Sequence, residues 1–173
     1  MHGTQNQVSS RVWSAALPWP FPVPDLGHFL AGPWRIERRI ADLRSGTAGR
    51  LTGEARFAPA LGGLRYDERG TLAFGAHRGA AGRSHWFALD RLGAAEVRFC
   101  DGRPFHRLDL SSGRAEVVHD CPPDCYRGRY RIGGPDRWTL TWLVRGPRKR
   151  VLIGTRYARV IAPAAAAGKG GRW

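Results

Sequence analysis

Apolar and polar residues alternate with a period of two through most of the chain, as in strands that bury one face. Near the start of this region Arg38 shares a face with three apolar side chains, those of Trp34, Ile36 and Ile40. Later rows are more uniformly apolar, such as Trp138, Leu140, Trp142 and Val144. Between residues 126 and 132 one face is apolar or aromatic, and the other carries Arg127, Arg129 and Arg131.

Turn signals containing glycine recur about every 8 to 12 residues, which divides the chain into about ten strands in up-and-down order. They include Ser45-Gly46, Gly62-Gly63, Asp101-Gly102, Ser112-Gly113 and Gly133-Gly134. So many twisted strands, each with one apolar face, must close on themselves or fold into a sandwich. The sequence predicts an all-β fold, an antiparallel up-and-down β-barrel of about ten strands with a short N-terminal helix.

The two ends of the chain differ in composition from the middle. Residues 1–24 contain LPWPFPVP, which excludes a helix and predicts an extended proline-rich arm, with Trp19 and Phe21 packing on the body. Asp25 is positioned to cap a short helix that ends at Gly32. Residues 25–161 are predicted to form a single barrel domain, and 162–173 a disordered tail.

Two hairpin signals set an expected register around two histidines. Asp101-Gly102 is typical of a two-residue turn, which places Val97 opposite His106, and likewise Ala95 opposite Leu108 and Phe99 opposite Pro104. His106 then lies on the apolar face of its strand. If Ser112-Gly113 is also a two-residue turn, His119 faces His106 across the next strand pair.

The start of the first strand resembles a known superfamily. A short helix, then Gly32-Pro33-Trp34, and a closing strand TRYARV with Arg156 and Arg159 are similar to the calycins, which include lipocalins, fatty-acid-binding proteins and nitrobindins. The resemblance implies a calycin-like barrel that binds a ligand, with the tryptophan and an arginine sealing one end.

Residues from about 29 to 160 also resemble an uncharacterised family of bacterial and fungal single-domain proteins. The segments that carry the resemblance are GPWRIERRIAD, GLRYDERG, VRFCDGRPFHRLDL, HDCPPDCYRGRY and WLVRGPRK. This resemblance supports the fold and implies no activity.

Polar residues on the predicted inner face are the candidate site. Burying such groups without partners costs several kcal/mol, roughly 2 to 7 for an amide or hydroxyl. One interpretation is a structural network in which Arg38 and Glu68 form a buried pair. The other is a polar wall in an aromatic ligand cavity. The candidate ligand-binding residues are Arg38, Glu68, His106, His119, Asp124, Tyr126, Tyr130 and Trp142.

These residue types favour a small, partly apolar, anionic or hydroxylated organic ligand. The Arg38 guanidinium could hold a carboxylate or phenolate with two hydrogen bonds. The alternative is a cofactor-independent isomerase, cyclase or hydrolase. In that case His106 and His119 exchange protons near neutral pH, and Tyr126 stabilises an oxyanion.

Metal and haem sites are minor alternatives, and no cofactor is expected. His119, Cys121 and Cys125 could contribute to a zinc site, but their spacing is not that of a zinc finger, and Pro122 and Pro123 stiffen the loop. Nitrobindins bind haem through a histidine, but their full pattern is not found here.

The net charge of +14 arises from 28 basic and 14 acidic residues, and nearly all the basic residues are arginine. A compositional bias explains this more simply than an acidic partner does, because no nucleic-acid motif appears. Nucleic-acid or acidic-partner binding through surface arginines is therefore the second alternative. No apolar run is long enough to cross a membrane and no signal peptide is evident, so a cytoplasmic location is expected.

Overall fold

The computed structural model describes residues 20–91 and 93–161, which form one short helix and ten strands. The helix α1 spans Leu26–Leu30. The strands are β1 Gly32–Asp42, β2 Ala48–Ala60, β3 Gly63–Phe74, β4 His77–Arg91, β5 Ala94–Phe99, β6 Pro104–Asp109, β7 Arg114–Cys121, β8 Asp124–Gly134, β9 Arg137–Gly146 and β10 Lys149–Arg159. No helix among these residues is both long and apolar enough to span a membrane.

All ten strands belong to one antiparallel sheet in the order β6-β5-β4-β3-β2-β1-β10-β9-β8-β7. Strands that are adjacent in sequence pair with one another, except β6 and β7. The first strand pairs with the last, with Trp34 opposite Arg159. The strands β6 and β7 lie at the two ends of the order. The sheet therefore curls into a nearly closed barrel, as the alternating pattern predicts.

The alternation along each strand separates the barrel interior from its surface. The row Trp34, Ile36 and Arg38 is buried, and so are Tyr130 and Ile132 on β8. The intervening arginines of β8 are exposed. The inner faces together form one core that is rich in aromatic rings.

The end of the barrel beside α1 is sealed by Trp34. Asp25 caps the helix by accepting a hydrogen bond from the backbone N–H of His28 at 2.8 Å. The Trp34 indole is fully buried and donates to the Leu30 carbonyl at 2.8 Å. The Arg159 guanidinium lies 4.2 Å from the centre of the Trp34 ring and donates to the Phe29 carbonyl at 2.5 Å. Arg159, not Arg156, is thus the sealing arginine of the two candidates.

The β5–β6 hairpin agrees with the predicted register only away from its turn. Val97 lies opposite His106, as expected, but a bulge places Arg98 rather than Phe99 opposite Pro104. In the turn Gly102 has a φ of 85°, and no non-glycine residue in the described part of the chain has a positive φ. A two-residue type I′ turn needs positive φ at both central residues, so the predicted turn is wrong. The loop has three residues, closed by a hydrogen bond from Phe99 N to Arg103 O.

The predicted pairing of β6 with β7 is also wrong, because the two strands form no ladder among the described residues. His119 therefore does not lie in register opposite His106. Its ring Nδ1 lies 2.9 Å from the backbone carbonyl of Phe105 and bridges the two strand edges. We call this boundary between β6 and β7 the seam.

The end of the proline-rich arm closes the part of the seam nearest the β6–β7 connection. The backbone N–H of Phe21 donates to Ile132 O, and that of Val23 donates to Leu110 O, each at 3.1 Å. Gly113 has a φ of 77°, and a Cβ atom there would lie 2.3 Å from the Phe21 carbonyl oxygen. Phe21 packs on the core, as predicted. Trp19 and the tail 162–173 lie outside the described residues.

Replacing Trp34 with alanine should lower the free energy of unfolding by about 3 to 5 kcal/mol, because it empties a buried site beneath α1 and removes the ring that Arg159 covers. Urea denaturation of wild type and variant measures the change. Leu61→Ala is the control, since Leu61 is 97% exposed and should change stability little. A loss below about 1 kcal/mol for Trp34→Ala would contradict its role as a seal.

Candidate functional site

The buried carboxylate of Glu68 organises the polar interior. Arg38 donates to it through both terminal nitrogens, at 2.6 and 2.7 Å, and also donates to Thr155 Oγ1 at 2.9 Å. The Tyr66 hydroxyl donates to the same carboxylate and lies 3.2 Å from the Tyr157 hydroxyl. The predicted buried pair of Arg38 and Glu68 is therefore present. Because Glu68 occupies both terminal nitrogens, Arg38 does not present a free fork to a ligand.

The donors around Glu68 keep its carboxylate ionised. Burial on its own would raise the pKa of Glu68. The Arg38 hydrogen bonds and the charge of Arg83 outweigh that effect, with the Tyr66 hydrogen bond adding to them, and lower the pKa to about 2. The cluster is thus a permanent ion pair over the physiological pH range.

Arg83 adds a second positive charge to the same carboxylate. Its Nε lies 3.2 Å from Glu68 Oε1, and its side chain is 37% exposed while that of Glu68 is 2% exposed. Two guanidinium groups meet one carboxylate, so the cluster of Arg38, Arg83 and Glu68 carries a net positive charge. Arg83 therefore presents this surplus charge where the interior meets solvent.

A small aromatic cavity lies beside Arg83 in the middle of the barrel. It has about 20 Å³ of free volume, which is room for about one water molecule. Three of the side chains that line it have a buried ring nitrogen with no hydrogen-bond partner among the described residues: His85 Nδ1, His106 Nδ1 and Trp138 Nε1. Native proteins leave few buried polar atoms unpaired, so the lining of this cavity has unused hydrogen-bonding capacity.

His106 is a predicted site residue that lines this cavity and is buried. Its Nε2 lies 3.0 Å from the Tyr130 hydroxyl, and the Trp142 ring packs against it with the ring centres 5.4 Å apart. Burial lowers the pKa of His106 to about 3, with His85 and His119 adding to the effect. The imidazole is therefore neutral at pH 7. The hypothesis that His106 exchanges protons near neutral pH assumed an ordinary histidine pKa. A pKa of about 3 does not meet that assumption.

His119 and Tyr126 lie near the seam rather than on the cavity wall. Their rings are 5.9 Å apart, and the Phe105 ring separates His119 from His106 with ring centres at 4.8 and 4.6 Å. The two histidines are close, but they are not directly opposed as predicted.

Asp124 and the two cysteines lie apart from the cavity. The Asp124 carboxylate accepts a hydrogen bond from Lys149 Nζ at 2.5 Å. Cys121 is exposed and Cys125 is half-buried. Among the described residues no three histidine, cysteine, aspartate or glutamate side chains are grouped as metal ligands. The minor zinc alternative on His119, Cys121 and Cys125 therefore has no ligand cluster in this part of the chain.

Sequence reasoning missed the contributions of β4 to the site. Arg83 and His85 lie on the inner face together with Phe87, which is buried. The adjacent aromatic residues Trp86 and Phe87 point in opposite directions, so alternation alone does not choose the inner face. The burial of Phe87 fixes it, and with it the position of Arg83.

Three comparisons with known proteins bear on this chain. A family model described as "Family of unknown function (DUF6314)" matches residues 30–159. No curated protein matches the sequence. Similarity to solved structures extends over most of the chain at low sequence identity.

Two solved structures share the fold. An S-type phycobiliprotein lyase from Guillardia theta is 7% identical with a TM-score of 0.58, covering 79% of this chain and 91% of that one. A protein of unknown function from the DUF3598 family of Nostoc punctiforme is 11% identical with a TM-score of 0.56. That match covers 80% of this chain and 50% of the other. Together they support the calycin-like barrel predicted from the sequence.

Stability should fall as the pH drops below about 6.5. Burial, with the charge of Arg83 adding to it, lowers the pKa of His85 to about 4, and burial lowers that of His106 to about 3. An unfolded histidine has a pKa of about 6.5, so between these values the unfolded chain binds more protons and acid favours unfolding. Below about 4.5 the loss of the Glu68 ion pair adds to the effect as the pH falls towards about 2.

Urea denaturation between pH 7 and 4.5 tests the histidine contribution. His106→Gln retains a polar partner for Tyr130 but does not titrate, so the pH dependence should flatten by up to about 1.4 kcal/mol per pH unit. His77→Gln is the matched control, because His77 is exposed at the start of β4. Identical slopes for wild type and His106→Gln would contradict the neutral buried state of His106.

Proposed function

We propose that this chain, which belongs to the family of unknown function DUF6314, binds a small organic anion with an apolar body inside its barrel. The observation that carries the proposal is that three side chains lining one aromatic cavity each have a buried ring nitrogen without a partner among the described residues. A phycobiliprotein lyase shares the fold, which is in keeping with a small-molecule role in general.

The cavity wall offers a specific hydrogen-bonding pattern to a guest. An indole N–H only donates, so Trp138 Nε1 calls for an acceptor. The two imidazoles are neutral at pH 7, and each Nδ1 donates or accepts according to its tautomer. Leaving such groups unpaired costs about 1 to 3 kcal/mol each, so a ligand that pairs them gains affinity from their burial.

The charge at the entrance favours an anion. Glu68 is the one buried carboxylate among the described residues and already receives Arg38 and Tyr66. Arg83 forms an ion pair with the Glu68 carboxylate, which already accepts these hydrogen bonds. The Arg83 side chain is partly exposed and lines the cavity. A ligand carboxylate or phenolate would balance the surplus charge, and Arg83 takes the ligand-binding role that the sequence suggested for Arg38.

The small volume of the cavity limits how the ligand enters. About 20 Å³ holds one water molecule and no organic ring. Phe105 is half-buried and lies on the unpaired edge of β6, and Arg83 is a long side chain at the surface. Displacement of these two side chains opens the cavity without breaking a β ladder. By this route the ligand enters through the side of the barrel that contains the seam.

The test compares benzoate with its neutral analogue benzamide, using NMR chemical-shift titration of the labelled protein. Benzoate should bind at least about tenfold more tightly, since a hydrogen bond to a charged group contributes about 1.5 to 3 kcal/mol. Its shifts should centre on residues 83–87, 105–106 and 138–142. Native mass spectrometry of the purified protein identifies any molecule that is retained.

Two variants on the same strand distinguish the interior site from general surface charge. Arg83→Gln should abolish the preference for benzoate over benzamide. Arg78→Gln, at an exposed position of β4, removes the same charge and should leave the preference intact. Equal affinity for the two probes in wild type, or shifts confined to the outer surface, would refute the proposal.

A further inference from the structure

The outer face of the barrel has an uneven distribution of acidic residues. Residues 125–161, which include nearly all of β8, β9 and β10, contain nine arginines and one lysine but a single acid, Asp136. Asp136 lies in the turn between β8 and β9. Three adjacent strands therefore have no acidic side chain on their outer face.

A groove of about 700 Å³ runs along this acid-poor face. Its floor is made of small or hydroxyl residues on the two central strands, namely Thr139 and Thr141 on β9 and Gly154 on β10. The register places Gly154 between Thr141 on one side and Arg39 on the other. Six exposed arginines line the groove: Arg39, Arg50, Arg127, Arg129, Arg131 and Arg156.

Few of these arginines are neutralised within the protein. Arg129 pairs with Glu116 at 2.9 Å, and Arg50 lies 3.8 Å from Glu37. The other four, Arg39, Arg127, Arg131 and Arg156, have no ion-pair partner in the part of the chain that the structure describes. The groove thus carries a surplus of unpaired guanidinium groups.

The opposite side of the barrel has a different pattern. On β3 Arg65 pairs with Asp67 at 2.9 Å, on β5 Arg98 pairs with Glu96 at 2.6 Å, and on β6 Arg107 pairs with Asp90 at 2.5 Å. Arg56, Arg69 and Arg78 are exposed and have no ion-pair partner among the described residues, so single unpaired arginines occur elsewhere on the barrel as well. The groove differs because four unpaired arginines line one depression whose floor carries no acidic residue.

We propose that this groove binds the sugar–phosphate backbone of single-stranded nucleic acid. Arg127, Arg129 and Arg131 alternate along β8, which spaces them by about 6.7 Å. That spacing is comparable to the separation of successive phosphates along an extended strand. The proposal concerns the outer face and is independent of the ligand proposed for the interior.

The width and floor of the groove favour a single strand over a duplex. The arginines of β8 and β1 are three strand spacings apart, about 14 Å between backbones, and their side chains narrow that gap. Thr139 and Thr141 supply hydroxyl donors to phosphate oxygens between the arginine rows. The outer face of β8, β9, β10 and β1 carries no aromatic residue in the described range, so bases have no stacking platform. Recognition is therefore of the backbone and independent of base sequence.

Fluorescence anisotropy with fluorescein-labelled dT₁₂ at 50 mM salt tests the proposal. The variant R127Q/R129Q/R131Q should bind at least tenfold more weakly than wild type. Its log–log salt dependence should be shallower by about 2, since each phosphate neutralised on a single strand contributes about 0.7. The matched control R65Q/R98Q/R107Q removes the same charge from the opposite side and should bind within about threefold of wild type. Thermal melts establish that both variants are folded.

Further binding measurements distinguish between the possible polyanionic ligands. A dA₁₂ probe should bind like dT₁₂, and a 12-base-pair duplex more weakly. Equal losses in the two triple variants would show general charge attraction and overturn the groove as a site. So would the absence of saturable binding in wild type, tighter binding of the duplex, or equally effective competition by polyglutamate at the same concentration of charge.

Discussion

The buried carboxylate of Glu68 is the constraint on which the rest of the interior depends. A charge in a barrel core is tolerated only when it is paired and fully hydrogen-bonded, and removing one partner of such a pair is strongly destabilising. Arg38 and Tyr66 provide that pairing from β1 and β3, so the ion pair ties two strands together across the core. The third donor, Arg83, leaves an excess of positive charge next to an aromatic cavity. Burial keeps the nearby imidazoles neutral by lowering the pKa of each, and the charge of Arg83 adds to this effect at His85.

The inner and outer faces of the same strands carry separate chemistry. On β8 the inner residues Gly128, Tyr130 and Ile132 complete the core, and the residues between them are the arginines of the outer groove. Because alternate side chains point to opposite faces, one strand contributes different residues to the core and to the outer groove. The interior has a single positive surplus at its entrance, whereas the groove has a row of positive charges. The first suits a small anion and the second a chain of anions.

The parts of the fold that sequence predicted well are those that depend on one strand at a time. Alternation identified the buried faces, including Arg38, Glu68 and His106, and the Gly-x-Trp pattern identified the seal at Trp34. The pairing of β6 with β7 was mispredicted because it depends on competition between strands over the whole barrel. A two-residue hairpin at Ser112-Gly113 is locally plausible, but closure through β1 and β10 places those two strands at the ends of the sheet.

The site was only partly predictable for a related reason. Arg38 and Glu68 were recognised as possible partners from their shared interior position. The unpaired nitrogens of His85, His106 and Trp138 depend on the orientation of each ring within a packed core, which a pattern of residue types does not specify. The acid-poor stretch 125–161 is visible in the sequence, but only the pairing of β1 with β10 brings Arg39 and Arg50 to the same side of the barrel.

The connectivity of the barrel has a consequence for the nascent chain. Closure depends on the β1–β10 ladder, whose partners are the first and last strands of the domain, whereas β6 and β7 are adjacent in sequence and form no ladder. During synthesis β1 leaves the ribosome before β10 exists. Throughout that interval β1 is an open edge with unpaired backbone groups and an apolar face, the kind of edge that invites pairing with another chain. The protein is therefore exposed to misassembly until its last strand is available to pair with β1.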